Sequence, residues 1–167
     1  SGDRFVLRDH SAKRTIAGGS VIDPFSPKRG RSRPSRIAIL NAMRKEKTAD
    51  ILQALAEQSE TGVHLNQFSI SYNLLDDQIN TLICSLGLLR FGTSPNERIF
   101  TRIRWSALLE LILSAIAKFH KNEPKIIGAS IKDIHLLLSI FLEEDILKTA
   151  LKIMIAENRL GATGNRF

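Results

Sequence analysis

GDRFVLRDHSAKRTIAGGSVIDP, residues 2–24, holds two strand-like runs around a basic turn and ends at a hard stop. In residues 4–8, Phe5 and Leu7 fall on one face and Arg4, Val6 and Arg8 on the other, the period-two pattern of a half-buried strand. Residues 9–14 are polar and turn-prone. In residues 15–22, Ile16, Val21 and Ile22 surround Gly18-Gly19, and a glycine pair inside a strand marks a bulge or a close backbone approach. Asp23-Pro24 closes the stretch. A two-stranded hairpin alone is marginal in water, so these strands are expected to belong to a larger sheet, and the remaining sequence offers no strands to build it.

Behind the hairpin the pattern turns helical. Residues 35–47 read as a leading helix with Ile37, Leu40 and Met43 on one side. The next helix is expected to start at Thr48, read as its N-cap, with Ile51, Leu52 and Leu55 as its stripe and Gly62 as its break. Two stretches can then be laid over each other at an offset of about 66 to 69 residues, as in repeated structural units. Leu65, Phe68 and Tyr72 match Ile131, Ile134 and Leu138; Asp77 and Thr81 match Asp145 and Thr149; Leu89-Arg90-Phe91-Gly92 matches Asn158-Arg159-Leu160-Gly161. Both stretches close with a turn and an aromatic, residues 94–100 in the first and 162–167, with Asn165 and Arg166, in the second.

Each copy therefore reads helix, short extended piece, helix, helix, strand, turn, strand. In the second copy the helices are placed at residues 104–122, 130–142 and 145–158, and Trp105, Leu108, Leu109, Ile112, Ile116 and Phe119 form a 3,4 stripe on the first of them. That order is the winged helix, a helix-turn-helix relative carrying a β-hairpin wing. The expected fold is mainly α within an α+β class: tandem winged helices at residues 48–102 and 103–167, a basic Pro-rich linker with its leading helix at 25–47, and the hairpin at 1–24. The copies join without a linker, which predicts a semi-rigid rod.

Charge is distributed unevenly. The net charge is +7, yet residues 1–47 hold twelve Lys/Arg against four Asp/Glu, and residues 48–167 hold twelve against thirteen. A basic face is the usual footprint of nucleic-acid binding, and here it is confined to the hairpin and linker. Lys28, Arg29, Arg31, Arg33 and Arg36 are the candidate RNA-phosphate contacts there, between Pro24, Pro27 and Pro34, which are expected to keep the chain extended. Five cations correspond to a log-log salt slope of about −3.5 on single-stranded RNA. The third helix of the first copy is expected to expose Asp76, Gln78, Asn80, Thr81 and Ser85, without a single Lys or Arg, which is a poor phosphate-binding face. In the second copy, Lys148, Lys152 and the wing residue Arg166 are the candidates, and Glu143, Glu144 and Asp145 read as acids complementing a helix start.

No catalytic constellation is present in the sequence. A Gly-x-x-x-x-Gly-Lys-Ser/Thr phosphate loop is missing. His10, His64, His120 and His135 stand far apart without Cys or carboxylate at ligand spacing, so no metal site is expected. His64 occupies the place of Ser130, which forms a capping box with Asp133, and so reads as a helix cap. Asp76-Asp77 and the acidic run at 143–145 lack an apolar pocket that would raise one pKa. One cysteine, Cys84, precludes an internal disulfide, suits a reducing cytosol, and lies on an apolar helical pattern that predicts burial. At 43% hydrophobic residues the chain can build one ordinary domain or two small ones, and no apolar run approaches the roughly 18 residues of a membrane span. No secretory signal pattern opens the sequence.

Arg4-Phe5-Val6-Leu7-Arg8, a turn, and Arg14-Thr15-Ile16-Ala17-Gly18-Gly19 resemble the closing strands of the third, β-barrel domain in translation GTPases of the elongation factor Tu type. The passage from Val21-Ile22-Asp23-Pro24-Phe25 through a basic stretch into winged helices is similar to the selenocysteine-specific elongation factors. Ala17 stands where that family often carries another glycine, a departure that bears on the bulge. The resemblance covers about twenty residues directly. It implies a non-enzymatic, cytoplasmic piece of a GTPase whose GTP, Mg and selenocysteyl-tRNA sites lie on other domains, with ribosome and an mRNA hairpin as partners of the whole protein and no cofactor held by this chain. The two copies would be the first winged-helix modules of an arm between the tRNA-carrying body and the mRNA-reading tip. The alternative is a tandem winged-helix DNA-binding regulator, which leaves residues 4–22 unexplained; a protein-interaction module is the third reading.

Overall fold

The computed structural model describes residues 2–164 and 166–167, so Asn165, expected in the closing turn of the second copy, lies outside the described residues. The chain opens with an antiparallel pair, β1 (Arg4–Arg8) and β2 (Thr15–Ser20). Asp9 ties the turn between them, its carboxylate accepting from the Lys13 and Arg14 N–H groups at 2.9 and 3.2 Å and from the Ser11 hydroxyl at 2.9 Å. These hydrogen bonds, led by the Arg14 N–H, lower the Asp9 pKa. Every residue of both strands is exposed, including Phe5, Val6, Leu7 and Ile16, so neither face of the pair meets a core.

The register slips between Leu7 and Arg8, opposite Ala17 and Thr15, which leaves Ile16 as the bulged residue. Of the two expected roles of the glycine pair, close approach is the one found. A Cβ on Gly19 would lie 2.9 Å from the Phe5 ring, so the aromatic covers a strand that must be bare there.

Helix α1 (Pro34–Ala42) is shorter than the 35–47 expected and packs through Ile39, Ala42 and Met43, whereas Ile37 is exposed. The first helical unit continues with α2 (Thr48–Gln58), β3 (Val63–His64), α3 (Leu65–Tyr72), α4 (Asp76–Ser85), β4 (Leu89–Phe91) and β5 (Arg98–Phe100). Lys47, not Thr48, occupies the N-cap position of α2, and no side chain caps it. The strands form one antiparallel sheet in the order β3-β5-β4, with Val63 opposite Ile99 and Arg90 opposite Ile99 on the other side. Leu52, Ala56, Leu65, Phe68, Ile79, Ile83 and Ile99 make its core. Cys84 is exposed rather than buried: Ile79 and Ile83 already supply the inward positions of α4, and the next residue turns about 100° away from them.

The second unit has α5 (Arg102–Asn122), α6 (Ile131–Leu137) and α7 (Glu144–Ala156). The whole Trp105-to-Phe119 stripe of α5 is buried, as its spacing predicts. Ser130 caps α6 reciprocally with Asp133, whose pKa the Ser130 hydroxyl bond lowers. The two closing strands expected here are reduced, among the described residues, to a Thr163–Arg166 bridge and a mutual backbone pair between Ala129 and Phe167 at 2.8 and 3.0 Å. Ala129 therefore lies against Phe167 as Val63 lies against Ile99, and the repeat persists where the strand does not. It persists in detail too, since Thr81 and Thr149 each donate back to the carbonyl four residues earlier, Asp77 and Asp145, at 2.7 and 2.8 Å. The molecule is α+β, mainly helical, with a separate exposed hairpin in front.

Candidate functional site

The basic linker is the first candidate surface, and it is folded rather than extended. Asp23 accepts from the Phe25 N–H at 2.8 Å, the Arg31 guanidinium donates to the Pro27 carbonyl at 3.0 Å, and the Arg33 N–H reaches the Gly30 carbonyl at 3.2 Å. Short local bonds of this kind convert a Pro-rich stretch into successive turns. Arg36 is drawn inward into an ion pair with Asp23, and both side chains are largely buried. Lys28, Arg29, Arg31 and Arg33 are exposed and hold no ion-pair partner among the described residues, and the bond from Arg31 to a neutral carbonyl leaves its charge in place, so these four are the candidate linker cations left for an external anion.

The candidates on the second unit are differently placed. Lys148 pairs with Glu144 at 2.6 Å one turn away, a bond that lowers the Glu144 pKa and raises that of Lys148. Lys152 is exposed, and Arg166 donates to the Gly128 carbonyl at 3.0 Å while remaining exposed. Lys148 and Lys152 lie on α7, whereas the linker candidates precede or open α1.

The first unit carries no compensating positive face. Asp76, Gln78, Asn80, Thr81 and Ser85 are all exposed on α4, as expected. The nearby cation of β4, Arg90, is spent on Glu97 at 2.8 and 2.9 Å and on the Asn80 side-chain carbonyl at 2.9 Å. No group of three or more His, Cys, Asp or Glu suited to a metal exists among the described residues. None of their helices is long and apolar enough to cross a membrane.

The best-built site is one the sequence did not reveal: the joint between the two units. Phe91 of β4 stacks on Trp105 of α5 at 3.8 Å between ring centroids, and Phe100 of β5 meets the same indole edge-on at 5.2 Å. Phe100 belongs to the core of the second unit, fully buried beside Leu108 and Leu147. Around these rings the polar groups cross over. Arg98 of β5 forms an ion pair with Glu143 at the start of α7, Thr93 donates to the Asp145 carboxylate at 3.1 Å, and Arg104 donates to the Glu57 carbonyl at the end of α2.

Gly92 sits where the chain leaving β4 touches α7. Its φ is +92°, and a Cβ there would fall 2.9 Å from Ile146 Cδ1, so the residue needs both left-handed backbone freedom and no side chain. His64 stands at the N-cap position of α3 but makes no capping bond; its Nδ1 is buried without a hydrogen bond. Burial first, and the Arg98 charge second, push its pKa down, while Glu143 opposes them. The acids at 143–145 thus divide: Glu144 and Asp145 lie in the first turn of α7, where negative charge complements the dipole, and Glu143 is turned to Arg98 with no cap bond of its own. Arg98 and Glu143 are 45 residues apart, and no local spacing signals such a pair. The cluster of Phe91, Phe100 and Trp105 was the available hint.

Comparison with known proteins places this architecture. Residues 1–28 match the family described as the selenocysteine-specific elongation factor, beta-barrel domain, which covers the whole exposed hairpin and the first linker residues. The chain is related to the selenocysteine-specific elongation factors. Over 124 residues, 73% of the chain, it is 30% identical to the selenocysteine-specific elongation factor of Escherichia coli strain K12, and the match takes in 20% of that protein. The chain thus spans about a fifth of the length of this relative. Since a 28-residue match cannot contain a 124-residue one, the similarity runs on into the helical units. The bare faces of β1 and β2 also gain their reason, because strands of a barrel bury their apolar side chains against other strands of that barrel.

Proposed function

We propose that this chain serves selenocysteine incorporation at UGA codons as an arm of a translation elongation factor. Residues 48–102 and 103–167 act as two fused winged-helix modules that hold a GTP- and selenocysteyl-tRNA-binding body at a set distance and angle from a part that grips an mRNA hairpin. The observation that carries this reading is the joint: aromatic packing, a cross-unit ion pair and a glycine contact make one unit complete the core of the other. A hinge meant to swing freely would leave that surface polar and solvated. The absence of any unpaired cation on the exposed face of α4 supports a spacer over a groove reader.

The test uses the whole elongation factor. Arg98→Ala combined with Glu143→Ala is expected to leave GTP hydrolysis, selenocysteyl-tRNA binding and mRNA-hairpin binding unchanged when each is measured alone, and to lower UGA readthrough in a reconstituted translation assay. Unchanged readthrough with a demonstrably loosened joint, seen as a broadened interdomain distance distribution by spin-label spectroscopy, overturns the arm.

The linker adds a contact with RNA in this reading, through Lys28, Arg29, Arg31 and Arg33 rather than through all five basic residues, since Arg36 is neutralised by Asp23. Four free cations lower the expected salt slope on single-stranded RNA from near −3.5 to about −2.8. Charge-neutralising Arg29 and Arg33 to Gln is expected to flatten it further, and an unaltered slope rules the linker out as a phosphate contact.

A further inference from the structure

The two units share one more feature, and it is not a charge. In the first, Ile70 near the end of α3 and Leu75 just before α4 are 61% and 71% exposed. In the second, Leu136 of α6 and Phe141 in the turn before α7 are each 84% exposed. Ile70 and Leu136 stand at the 66-residue offset that relates Leu65, Phe68 and Tyr72 to Ile131, Ile134 and Leu138, while Leu75 and Phe141 both lie in the turn that follows, where the offset changes to the 68 residues of Asp77–Asp145 and Thr81–Thr149. Each unit therefore presents two large apolar side chains at the elbow between its second and third helices. Singly exposed apolar residues are ordinary on a protein surface; one kept at the same helical position in both copies of a repeat, with a second in the adjoining turn of each, is a surface feature of the unit itself.

What surrounds the elbows selects the partner. Leu75 is followed directly by Asp76 and Asp77, which are exposed and hold no ion-pair partner among the described residues, and α3 and α4 contain no Lys or Arg. At the second elbow, Glu144 is paired with Lys148, Glu143 with Arg98, and Lys132 and His135 lie near Glu144, so the charges there balance. Phosphate is repelled at the first elbow and gains nothing at the second. A protein surface that sets Lys or Arg beside aliphatic side chains suits both, because its apolar groups cover the exposed pairs while its cations meet Asp76 and Asp77.

The geometry points to the two elbows as a bipartite docking surface for a basic, apolar protein partner, with the charge recognition carried by the first elbow and the larger apolar contact by the second. This surface lies outside the basic linker and outside the joint, and it does not depend on the chain working in translation.

The net charge of +7 makes a simple probe discriminating, since the molecule as a whole repels a cationic peptide and attracts an anionic one. The complete chain is titrated by fluorescence anisotropy with a labelled amphipathic helical peptide of Leu and Lys, and separately with its Leu and Glu counterpart. The Lys peptide is expected to bind at least about tenfold tighter than the Glu peptide, and Leu136→Ser with Phe141→Ser to weaken it by about tenfold, as for loss of an apolar anchor. Asp76→Asn with Asp77→Asn is expected to reduce the salt dependence of binding, which the Leu136/Phe141 double variant leaves intact. All four side chains are exposed, and circular dichroism confirms that each variant is folded. Equal binding of the two peptides, or serine variants that bind as tightly as the parent, overturns the proposal. So does a dimer seen by sedimentation that the serine variants abolish, which would make a second copy the occupant, or single-stranded RNA binding lost in those same variants.

Discussion

The two helical units descend from one pattern but are finished by different means. The first closes itself with a three-stranded sheet in which Ile99 is buried between β3 and β4. The second has only an Ala129–Phe167 pair and a Thr163–Arg166 bridge where that sheet would be, and it draws Phe100 from its neighbour into its own core. A repeat that borrows a core residue from the preceding copy cannot rotate against it without exposing that residue. The incompleteness of one unit thus gives the two a shared core, just as stacked repeats gain stability from their interfaces.

The strongest way to break this asymmetry is to remove the side chain both units share. Trp105→Ala deletes the partner of Phe91 and Phe100 together and is expected to cost about 3–5 kcal/mol, as for large-to-small core substitutions of aromatics. Chemical denaturation followed by circular dichroism should show the second unit unfolding at lower denaturant than the first. A single unshifted transition would mean that the indole does not couple them.

Next in size is the ion pair. Arg98 and Glu143 are only about one-fifth exposed, at 16% and 22% of their side-chain surface, and Arg98 Nε and Glu143 Oε2 have no other partner. Glu143→Ala leaves a guanidinium largely buried without its counter-ion, at a cost of about 2–3 kcal/mol, somewhat below a fully buried pair. Arg98→Ala in the same background should restore part of that loss, so a double-mutant cycle that comes out additive shows the two groups to be independent.

Gly92→Ala sharpens the comparison at a single atom. The substitution meets Ile146 and forces a side chain into left-handed backbone, for about 1–3 kcal/mol, while the matching Gly161→Ala has open space and no positive φ and should be nearly neutral. Thermal melts of the two variants measure the difference directly.

The smallest effect concerns pH. The folded-state pKa of His64 lies below its ordinary 6.5, so the fold favours the neutral ring. The stability this contributes is present above about pH 6.5 and is lost as pH falls through the lowered folded value. Protonation adds a cation beside Arg98, and only Glu143 opposes it. The melting temperature should therefore fall between neutral and mildly acidic pH by more in the parent than in His64→Gln, and identical pH profiles would remove His64 from the joint.

The hairpin, the repeat and the buried stripe of α5 were legible because each rests on local spacing: alternation in residues 4–8, a constant offset between Leu65 and Ile131, and the 3,4 rhythm from Trp105 to Phe119. The capping box of Ser130 and Asp133 was legible for the same reason. Where spacing gave two answers the reading failed. Cys84 lies next to an inward Ile83, and helical periodicity alone did not say that the core was already filled. The extended linker was read from three prolines, and the turns come instead from Asp23, which binds Phe25 and Arg36 at once.

Among the candidate cations, the sequence supplied the list, and the fold divided it into free and engaged. Lys28, Arg29, Arg31, Arg33, Lys152 and Arg166 face solvent without an ion pair among the described residues, whereas Arg36 and Lys148 are neutralised by Asp23 and Glu144. What the chain's order of residues determined alone is therefore its class, its repeat, its basic leading segment and its resemblance to a barrel-ending family. What only the tertiary structure decided is how the two units are held together, because Arg98 with Glu143, Thr93 with Asp145, and Gly92 with Ile146 are partners across some fifty residues. Local preferences act over a turn or a strand; the pairing of distant side chains exists only once burial of Phe91, Phe100 and Trp105 has brought the two units into contact.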